Sequence, residues 1–335
     1  MNTEQSSGPE TLKPTKVSII APLHNEEENV ATTVAKIREA FDAAKEDWEF
    51  VCVDDGSLDG TRKALEAEAA KDPRVRIVSY SPRRGRGYAL RQGFAAARGA
   101  FVVTTDFDLS YGPDQLLSLL KNLRADPGMD IALASAYMEG GAVEGVPGFR
   151  LFLSKFGNSI LRHALGGQIR TATCIVRAYR REALSALELF STGKEIHLEI
   201  LSKALALGLS VGEFPATLRG RTKGKSKFKF RETTLSHLGF CISERPMLLF
   251  GVLGGLSLLG GFGVSAFLLF KYVAQFFGGG ELHPDRPLVP IALVLILGGL
   301  IMLGFGFLSV QANALRREVL GLSRRVRSLE EPKNK

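Results

Sequence analysis

The chain has 335 residues, of which 45% are hydrophobic and 23% are charged. These ordinary proportions exclude a disordered, collagen-like or disulfide-stapled protein, because such chains depart strongly from the globular average. The three cysteines (Cys52, Cys174 and Cys241) lie far apart without CxxC spacing, which argues against a zinc ribbon and suits a reducing compartment. The net charge of +8 favours an anionic partner: nucleic acid, an anionic membrane surface or an anionic substrate.

Short apolar runs alternate with helical patterns after a polar N-terminal stretch. Residues 1–15 predict a disordered tail without a secretory signal. Five apolar runs predict strands, at 17–22, 50–53, 75–80, 100–105 and 131–136. Helical patterns fall between them, at 30–41, 88–98 and 114–123. This alternation predicts a mainly parallel α/β sheet that is covered on both faces and binds ligands at the carboxyl ends of its strands.

The next part of the chain is less regular. Its patterns predict an amphipathic helix at 148–165, a strand at 173–178, a helix at 195–207 and an extended segment at 210–218. Residues 219–231 then contain seven basic side chains, no acidic one and two phenylalanines. This composition favours an interfacial segment that meets anionic headgroups, and a solvated basic loop is the alternative.

Two stretches without any charge follow, at 247–270 and 288–310. Each is long enough to cross about 30 Å of hydrocarbon as a helix. The connection at 271–287 has balanced charges, whereas the tail at 311–335 has a net charge of +4. Since basic flanks stay in the cytoplasm, the sequence predicts an integral cell-membrane protein with two spans, both termini and the α/β domain cytoplasmic, and residues 271–287 on the other side.

The final segment carries an apolar stripe at heptad spacing beside an arginine-rich face. Its members are Leu315, Val319, Leu322, Val326 and Leu329. The stripe favours either a partner helix, such as that of a second copy in a homo-oligomer, or an anionic lipid surface. The chain shows no internal repeat, and two helices alone form no transport path, so a transporter is not favoured.

Acidic or polar clusters follow three of the predicted strands, at 22–26, 54–61 and 106–108. In an extended segment Asp106 and Asp108 point to one side, and two carboxylates suit Mg²⁺ or Mn²⁺, which takes further oxygens from substrate phosphates. Each cluster also has a purely structural interpretation. Residues 54–61 suit a turn and helix cap, residues 22–26 a helix N-terminus, and the aspartate pair a solvated loop.

The series PLHNEEEN, VDDGSLDGT and DFDLS, in this order, resembles family 2 glycosyltransferases with the GT-A fold. The resemblance continues through EGGAVEGVPGFRLFLSKFGN and EFPATLRGRTKGKSKF, and so covers roughly residues 16–230. These last two segments, followed by the predicted membrane helices, are similar to the polyprenyl-phosphate branch of the family. That branch includes dolichyl-phosphate mannose synthases and bacterial undecaprenyl-phosphate glucosyltransferases. The resemblance implies a GT-A catalytic domain at 16–230 and an interfacial segment at 231–246, followed by the two spans.

The resemblance also implies which residues bind the donor. The nucleoside pocket would be lined by Pro22, His24, Glu26, Asp54 and Asp55. Asp106 and Asp108 would hold Mg²⁺ or Mn²⁺ on the diphosphate of a GDP- or UDP-hexose, with Asp108 also acting in catalysis. Ser110 stands where many relatives carry a glutamine as a further ligand on the metal side.

On the acceptor side, Arg150 and Ser154 match the catalytic positions that grip the lipid phosphate in the mannose synthases, and they lie one helical turn apart. Arg221, Ser226 and Lys227 match a late R…G-x-S-K element that closes over the phosphates. The implied reaction is an inverting transfer of a hexose to dolichyl or undecaprenyl phosphate. A phosphate monoester with a second pKa near 6 is already largely a dianion, so no strong general base is required.

Two departures from the family pattern keep alternatives open. Relatives commonly have Gly-Ser-Arg where this chain has 134–136 as Ala-Ser-Ala, and residues 170–174 replace a D-x-T-S-G-like element. Arg170 could restore the missing positive charge. A catalytically degenerate membrane scaffold or a different acceptor therefore stays open. A processive polysaccharide synthase is not favoured. Those enzymes carry a Q-x-x-R-W element, whereas the only tryptophan here, Trp48, lies in the first predicted α/β unit. Nucleic-acid binding is not favoured either, because much of the basic charge lies beside the predicted spans.

Overall fold

The computed structural model describes residues 17–146, 169–220, 246–278 and 287–330, together with scattered positions between 148 and 167. The chain divides into two compact units, residues 1–233 and 234–335. All the described strands lie in the first unit, and the second contains two long helices. The predicted tail at 1–15 and most of the interfacial segment at 231–246 lie outside the described residues.

Nine strands are described in the first unit. They are β1 (Val17–Leu23), β2 (Trp48–Asp55), β3 (Val75–Tyr80), β4 (Phe101–Thr104), β5 (Ile131–Ser135), β6 (Ala142–Glu144), β7 (Arg177–Arg180), β8 (Val211–Pro215) and β9 (Thr217–Arg219). Seven of them form one sheet in the order β3-β2-β1-β4-β7-β5-β8, and β6 pairs with β9 in a small parallel sheet. β7 runs antiparallel to both of its neighbours, and the other pairs are parallel. The predicted mainly parallel sheet is confirmed.

Helices alternate with the strands. They are α1 (Val30–Ala43), α2 (Thr61–Lys71), α3 (Arg86–Ala96), α4 (Pro113–Ala125), α5 (Arg181–Ser185) and α6 (Ile196–Ala206), and a 3₁₀ turn at Glu27–Asn29 precedes α1. The apolar residues of α1 that recur at helical spacing are fully buried, as the pattern predicts. β2 is buried along its whole length, as expected of a central strand that is covered on both faces.

The prediction of a strand at 173–178 is wrong for its first four residues. Residues 170–176 form a loop, and the strand begins only at Arg177. The Arg177 side chain is fully buried, and its guanidinium donates to the carbonyl oxygens of Ala172, Cys174 and His197 at 2.7–2.9 Å. Because the carbonyl oxygens of Ala172 and Cys174 bond a side chain instead of a neighbouring strand, this part of the loop is held in place without a sheet ladder.

The order of the strands creates a switch point beside β1. From β1 the chain adds β2 and then β3 on one side, and it returns to place β4 on the other side of β1. In open α/β sheets the crevice at such a point, beyond the carboxyl ends of the strands, is where ligands bind. The three acidic or polar clusters of the sequence follow β1, β2 and β4, and therefore line this edge.

The second unit consists of α7 (Pro246–Phe277) and α8 (Leu288–Glu330). Both contain segments long and apolar enough to cross a membrane, and only 17% and 11% of the residues in their most apolar windows are buried, unlike the core helix of a soluble protein. Small residues allow the two helices to pack closely: a Cβ added at Gly254 would lie 2.9 Å from the carbonyl oxygen of Gly299. The Oγ of Ser257 donates to the carbonyl oxygen of Leu295 at 2.7 Å.

Both helices continue beyond the charge-free stretches that predict the spans. α7 extends to Phe277, past residue 270, and α8 extends to Glu330, past residue 310 and into the segment whose heptad stripe predicts a helix. The predicted span boundaries follow the loss of apolar character, which does not end a helix. Residues 271–277 contain no glycine or proline, and 311–330 contain a single glycine among strong helix formers, so the backbone continues.

Candidate active site

The loops after β1 and β2 are joined by hydrogen bonds. The backbone N–H of Asn25 donates to Ser57 Oγ, and that of Leu58 donates to Asn25 Oδ1, at 2.9 and 2.8 Å. The backbone N–H of Glu26 donates to Thr61 Oγ1 at 2.9 Å. Asn25 has a φ of 53°, a left-handed conformation that asparagine tolerates well. The two predicted nucleoside motifs therefore form one continuous wall of the site.

The structure brings the predicted nucleoside residues together along this wall. Pro22 is half-buried near the end of β1. His24 Nδ1 lies 2.9 Å from the carbonyl oxygen of Asp55. The carboxylate of Glu26 accepts a hydrogen bond from the side chain of Asn29 at 2.7 Å. Their contact with a nucleoside stays a prediction.

Asp54 and Asp55 are almost completely buried, at 2% and 4% exposed. The carboxylate of Asp54 accepts hydrogen bonds from the backbone N–H of Ser57 and from Ser79 Oγ, both at 3.0 Å. These bonds fix the carboxylate between the end of β3 and the loop after β2. Asp54 is therefore oriented by the protein itself, as a residue that recognises a base or ribose has to be.

Asp55 organises the segment that leads into α3. Its carboxylate accepts hydrogen bonds from the Tyr80 hydroxyl at 3.0 Å and from the backbone N–H groups of Arg84 and Gly85, at 2.7 and 3.0 Å. Arg83 Nε also lies 3.3 Å from Asp55 Oδ2. Burial raises the pKa of Tyr80, and the charge of Asp55 adds to the effect, so the hydroxyl keeps the proton that it donates.

The third cluster forms a turn rather than the predicted extended segment. β4 ends at Thr104, and the backbone N–H of Leu109 donates to the carbonyl oxygen of Asp106 at 3.1 Å, with Leu109 at a φ of 50°. Phe107, between the two aspartates, is buried and stacks on Phe50 with ring centroids 6.2 Å apart. Its carbonyl oxygen accepts a hydrogen bond from Thr33 Oγ1 at 2.7 Å. We call residues 106–109 the acidic turn.

The buried phenylalanine leaves Asp106 and Asp108 partly exposed, so both carboxylates are accessible. Ser110 donates to Asp108 Oδ1 from its backbone N–H at 3.1 Å and from its Oγ at 2.7 Å. The carbonyl oxygen of Ser110 accepts the backbone N–H of Arg219 at 2.9 Å, which connects β9 to the residue directly after the acidic turn. Asp106 pairs with Arg86, whose Nη2 lies 3.0 Å from Asp106 Oδ1.

The donor set of the acidic turn fits a divalent cation that also binds substrate. No group of three or more His, Cys, Asp or Glu side chains comes together among the residues that the structure describes. Mg²⁺ commonly takes only one or two carboxylates and completes its shell with phosphate oxygens and water. Two partly exposed carboxylates at the switch point therefore suit Mg²⁺ or Mn²⁺ on a diphosphate, and do not suit a metal held by the protein alone.

On the predicted acceptor side, Ser154 is helical and its Oγ accepts a hydrogen bond from the Tyr137 hydroxyl at 2.7 Å. The side chain of Asn158, one turn later, donates to the Ser154 carbonyl oxygen at 3.0 Å and to Thr173 Oγ1 at 3.3 Å. Burial raises the pKa of Tyr137, although its bond to Ser154 acts in the opposite direction. The predicted phosphate ligands Arg150, Arg221, Ser226 and Lys227 lie outside the described residues, so their roles stay predictions.

The two departures from the family pattern meet in one network. Ser135 Oγ and Thr171 Oγ1 share a buried hydrogen bond at 2.6 Å. The carboxylate of Glu213 accepts the backbone N–H groups of Arg170 and Thr171, at 2.9 and 2.7 Å. The side chain of Arg170 is exposed, and the idea that it restores the missing positive charge stays a prediction. Hydroxyls and one carboxylate thus hold this region in place.

Sequence reasoning missed two residues that contact predicted site residues, Arg86 and Tyr137. Arg86 lies in the run PRRGRG directly before a predicted helix, and a basic run at a helix N-terminus is a signal for anion binding. Tyr137 follows the Ala136 departure, but nothing in the sequence indicates that its hydroxyl reaches Ser154. Only the fold brings Tyr137 and Ser154 together.

Comparison with solved structures identifies the fold of the first unit. The structure of glucosyl-3-phosphoglycerate synthase from Mycobacterium tuberculosis, in complex with Mn²⁺, UDP and glucosyl-3-phosphoglycerate, matches with a TM-score of 0.52 at 22% sequence identity. The match covers 69% of this chain and 78% of that chain. Another structure of the same enzyme contains Mg²⁺ and UDP. The likeness confirms the predicted GT-A fold.

The family model described as "Glycosyl transferase family 2" matches residues 18–187. The chain belongs to this family, and the prediction that it is a glycosyltransferase is confirmed.

Its relatives confirm the predicted resemblance to the polyprenyl-phosphate branch. Polyprenol monophosphomannose synthase from Mycolicibacterium smegmatis is 36% identical over 67% of this chain and 86% of its own length. Dolichol-phosphate mannosyltransferase from Pyrococcus furiosus is 33% identical over 64% of this chain and 59% of its own length. An undecaprenyl-phosphate 4-deoxy-4-formamido-L-arabinose transferase from Salmonella choleraesuis is 25% identical over 91% of this chain and 90% of its own length.

Proposed function

We propose that this glycosyltransferase moves a hexose from GDP- or UDP-hexose to the phosphate of a membrane polyprenol, dolichyl or undecaprenyl phosphate. A single displacement inverts the anomeric configuration. The observation that carries the proposal is the position of the acidic turn, whose two accessible carboxylates lie at the switch point of a family 2 sheet. The names of the relatives supply the acceptor class, since those of all three contain a polyprenol or its phosphate.

Each motif binds a different part of the donor. The wall formed by the first two motifs holds the nucleoside, with Asp54 oriented by Ser57 and Ser79. Asp106 and Asp108 would hold Mg²⁺ or Mn²⁺, which would supply positive charge for the diphosphate that leaves. Fixed positive groups aimed at a leaving group lower the barrier because charge develops there as the anomeric bond breaks. Arg221 and Lys227 add to this charge when they close over the phosphates.

Acceptor activation requires orientation more than proton abstraction. A phosphate monoester is largely a dianion at neutral pH, so it is already a nucleophile. Arg150 grips two of its oxygens bidentately and directs the third towards the anomeric carbon. Ser154 donates a hydrogen bond from its hydroxyl to the same phosphate, because the Tyr137 hydroxyl occupies a lone pair of Ser154 Oγ and leaves the O–H of Ser154 available.

The membrane helices give this reaction its location. A polyprenyl chain stays in the bilayer, so an enzyme that acts on its phosphate works at the membrane surface. α7 and α8 contain the two candidate spans, Leu249–Phe277 and Leu288–Ala312. Their basic outer flanks and neutral connection support a hairpin anchor with the catalytic unit and both termini in the cytoplasm.

The proposal is tested with the purified full-length protein in nanodiscs that contain polyprenyl phosphate. Labelled UDP- and GDP-hexoses are supplied one at a time with Mg²⁺ or Mn²⁺, and the lipid product is identified by mass spectrometry and by the NMR coupling at its anomeric carbon. We expect one donor to give an inverted polyprenyl-phosphate hexose. Equal transfer to free polyprenol, or retention of configuration, would contradict the proposal.

A variant of the acceptor site sharpens the assay. Arg150→Ala removes a charge-assisted contact worth about 1.5–3 kcal/mol, so it should raise the KM for polyprenyl phosphate, lower kcat or do both, and leave donor binding unchanged. Arg150→Lys should restore only part of the activity, because lysine lacks the bidentate fork. Arg162→Ala is the matched control, since the described contact of this exposed side chain is a hydrogen bond to the nearby Gly167 carbonyl oxygen. Normal transfer by Arg150→Ala would remove the acceptor assignment.

A further inference from the structure

We propose that Arg86 is a counter-ion of Asp106 that exchanges with the divalent cation and then binds the diphosphate of the donor. This inference rests on the proposed function for the identity of the donor, but the exchange itself concerns only the metal and this chain. In the structure, Arg86 Nη2 lies 3.0 Å from Asp106 Oδ1, and the side chains are 36% and 28% exposed. A guanidinium thus occupies the coordination space of a predicted metal ligand.

The second acidic motif fixes the backbone on one side of Arg86. Both carboxylate oxygens of Asp55 accept the backbone N–H of Gly85 at 3.0 Å, and Asp55 Oδ1 also accepts that of Arg84. Gly85 has a φ of 97°, which a residue with a side chain rarely adopts. A Cβ at this position would also lie only 2.6 Å from the Thr192 carbonyl oxygen.

The loop at 190–193 fixes the backbone on the other side. The backbone N–H of Gly87 donates to the Thr192 carbonyl oxygen at 2.7 Å, and a Cβ on Gly87 would lie 2.5 Å from the Ser191 carbonyl oxygen. The loop is itself anchored, because the Glu199 carboxylate accepts the backbone N–H groups of Phe190 and Ser191. Arg86 therefore has a fixed backbone between two glycines, and only its side chain is able to change partner.

The neighbouring arginines make other contacts. Arg83 pairs with Asp55 at 3.3 Å, whereas Arg84 donates to the Tyr88 hydroxyl at 3.0 Å and stacks on its ring. Of these three arginines, Arg86 is the one that pairs with the acidic turn. It also lies in the first turn of α3, an 11-residue helix, where the helix dipole favours an anion.

Electrostatics makes the exchange stepwise. A cation on Asp106 and the guanidinium beside the same oxygen repel each other, so metal binding weakens the Arg86–Asp106 pair. The pair is partly exposed and so contributes little, which makes the displacement easy. The donor diphosphate then offers the released guanidinium two or more anionic oxygens, which match its planar fork. Arg86 neutralises the charge of the Asp106 carboxylate before the metal binds. Afterwards the same arginine binds the donor diphosphate.

Two binding measurements on the full-length protein test the proposal without any transfer assay. Mn²⁺ binding in the absence of nucleotide is followed by electron paramagnetic resonance, since the six-line signal of free Mn²⁺ is lost on binding. GDP and UDP binding in saturating Mn²⁺ is followed by calorimetry. We expect Arg86→Gln to bind Mn²⁺ alone about two- to fivefold more tightly. The same variant should bind the preferred nucleotide diphosphate at least about tenfold more weakly.

Arg84→Gln is the matched control, because it removes the same charge two residues away without touching Asp106. It should change neither affinity as much as Arg86→Gln does. Arg86→Lys keeps the charge but loses the fork, so it should bind Mn²⁺ like wild type and the nucleotide with intermediate affinity. Arg86→Lys also tests for simple misfolding, because a structural defect would lower both affinities together.

The outcomes separate this inference from the proposed function. An unchanged or weaker Mn²⁺ affinity in Arg86→Gln overturns the exchange, as does an equal effect of Arg84→Gln. An unchanged affinity for the nucleotide overturns the second role of Arg86. If the Mn²⁺ and nucleotide results hold but no sugar reaches polyprenyl phosphate, the acceptor assignment fails while the exchange stands.

Discussion

The hydroxyl of Tyr137 donates a hydrogen bond to the Oγ of Ser154 at 2.7 Å. Ser154 is one of the two residues predicted to bind the phosphate of the lipid acceptor. Tyr137 follows Ala136, where relatives commonly carry an arginine. Because burial raises the pKa of Tyr137, its hydroxyl keeps its proton and remains a donor at neutral pH. The tyrosine thus fixes the direction of the Ser154 hydroxyl and acts through that residue.

Tyr137→Phe should weaken acceptor binding while leaving the donor site intact. The variant removes one neutral hydrogen bond, worth about 0.5–1.5 kcal/mol, so the KM for polyprenyl phosphate should rise about two- to tenfold. Calorimetric binding of GDP or UDP should not change. Steady-state kinetics with varied acceptor and saturating donor measure the effect.

The control for this prediction is a double-mutant cycle with Ser154→Ala. If Tyr137 acts through Ser154, the double variant should lose little more than Ser154→Ala alone, because neighbours in one network are not additive. Fully additive losses, or a loss of donor binding in Tyr137→Phe, would show that the tyrosine has a different role.

Glu199→Gln should destabilise the first unit by about 1–3 kcal/mol, because it leaves a buried network without its charge. The Glu199 carboxylate accepts the backbone N–H of Ser191 at 2.8 Å and Lys203 Nζ at 2.6 Å, and Lys203 is 6% exposed. Trp48, the only tryptophan, is buried in β2, so its fluorescence reports on unfolding of this unit in the full-length protein. Glu66→Gln is the control, since its pair with Arg62 is exposed and should be worth less than about 1 kcal/mol.

The destabilisation caused by Glu199→Gln should depend on pH. Burial opposes ionisation of Glu199, but Lys203 and the N–H groups of Ser191 and Phe190 outweigh it, so the pKa is lowered in the folded state. A lowered pKa gives stability that is present above the unfolded value of about 4.3 and is lost as the pH falls through the folded value. The difference in Tm between wild type and Glu199→Gln should therefore be constant from about pH 6 to pH 8 and shrink below about pH 4. A difference that grows towards acidic pH would refute this account.

Most of the fold is predictable from the sequence because its signals are local. β3 occurs at the predicted residues, and α1 buries the residues of its helical pattern, because a short apolar run and an apolar helix face are both visible in a few neighbouring residues. The sequence pattern predicts β7 too early in the chain, because its antiparallel position depends on partners far away in the chain. The loop before it is apolar like a strand, but it is held by the buried Arg177 instead. Strand order is likewise a property of long-range pairing.

The candidate site also has one part that local sequence signals predict and another that depends on contacts between distant residues. The acidic motifs are predictable because each follows an apolar strand, and parallel strands bring their carboxyl ends to one edge. The turn at 106–109 was not predictable, because it depends on the left-handed Leu109 and on the burial of Phe107 against β2. Arg86 and Tyr137 were missed because their partners, Asp106 and Ser154, are 20 and 17 positions away in the sequence.

The predicted hairpin topology is tested by cysteine labelling. Gly279→Cys is placed in a background without Cys52, Cys174 and Cys241, and intact cells are treated with a membrane-impermeant maleimide. Because the connection between the spans is neutral and the tail is basic, the new thiol should react from outside the cytoplasm. Ser7→Cys in the same background is the control and should react only after the membrane is permeabilised. Labelling of position 279 only from the cytoplasmic side would refute the topology.

Asp108→Asn should lower the turnover for transfer to polyprenyl phosphate by at least about 10², or about 2.7 kcal/mol of barrier. Asp108 is partly exposed, and Ser110 orients its Oδ1, so the variant keeps the shape of the acidic turn but removes the charge that would hold the cation. Asp126→Asn is the control, because that carboxylate bonds the backbone N–H of Gly128 in an exposed turn after α4 and should leave turnover unchanged. Initial rates at saturating donor and acceptor give the comparison, and Mn²⁺ binding measured without nucleotide should weaken in Asp108→Asn alone. Full activity of that variant, or of the wild-type protein in a chelator, would remove the metal from the mechanism.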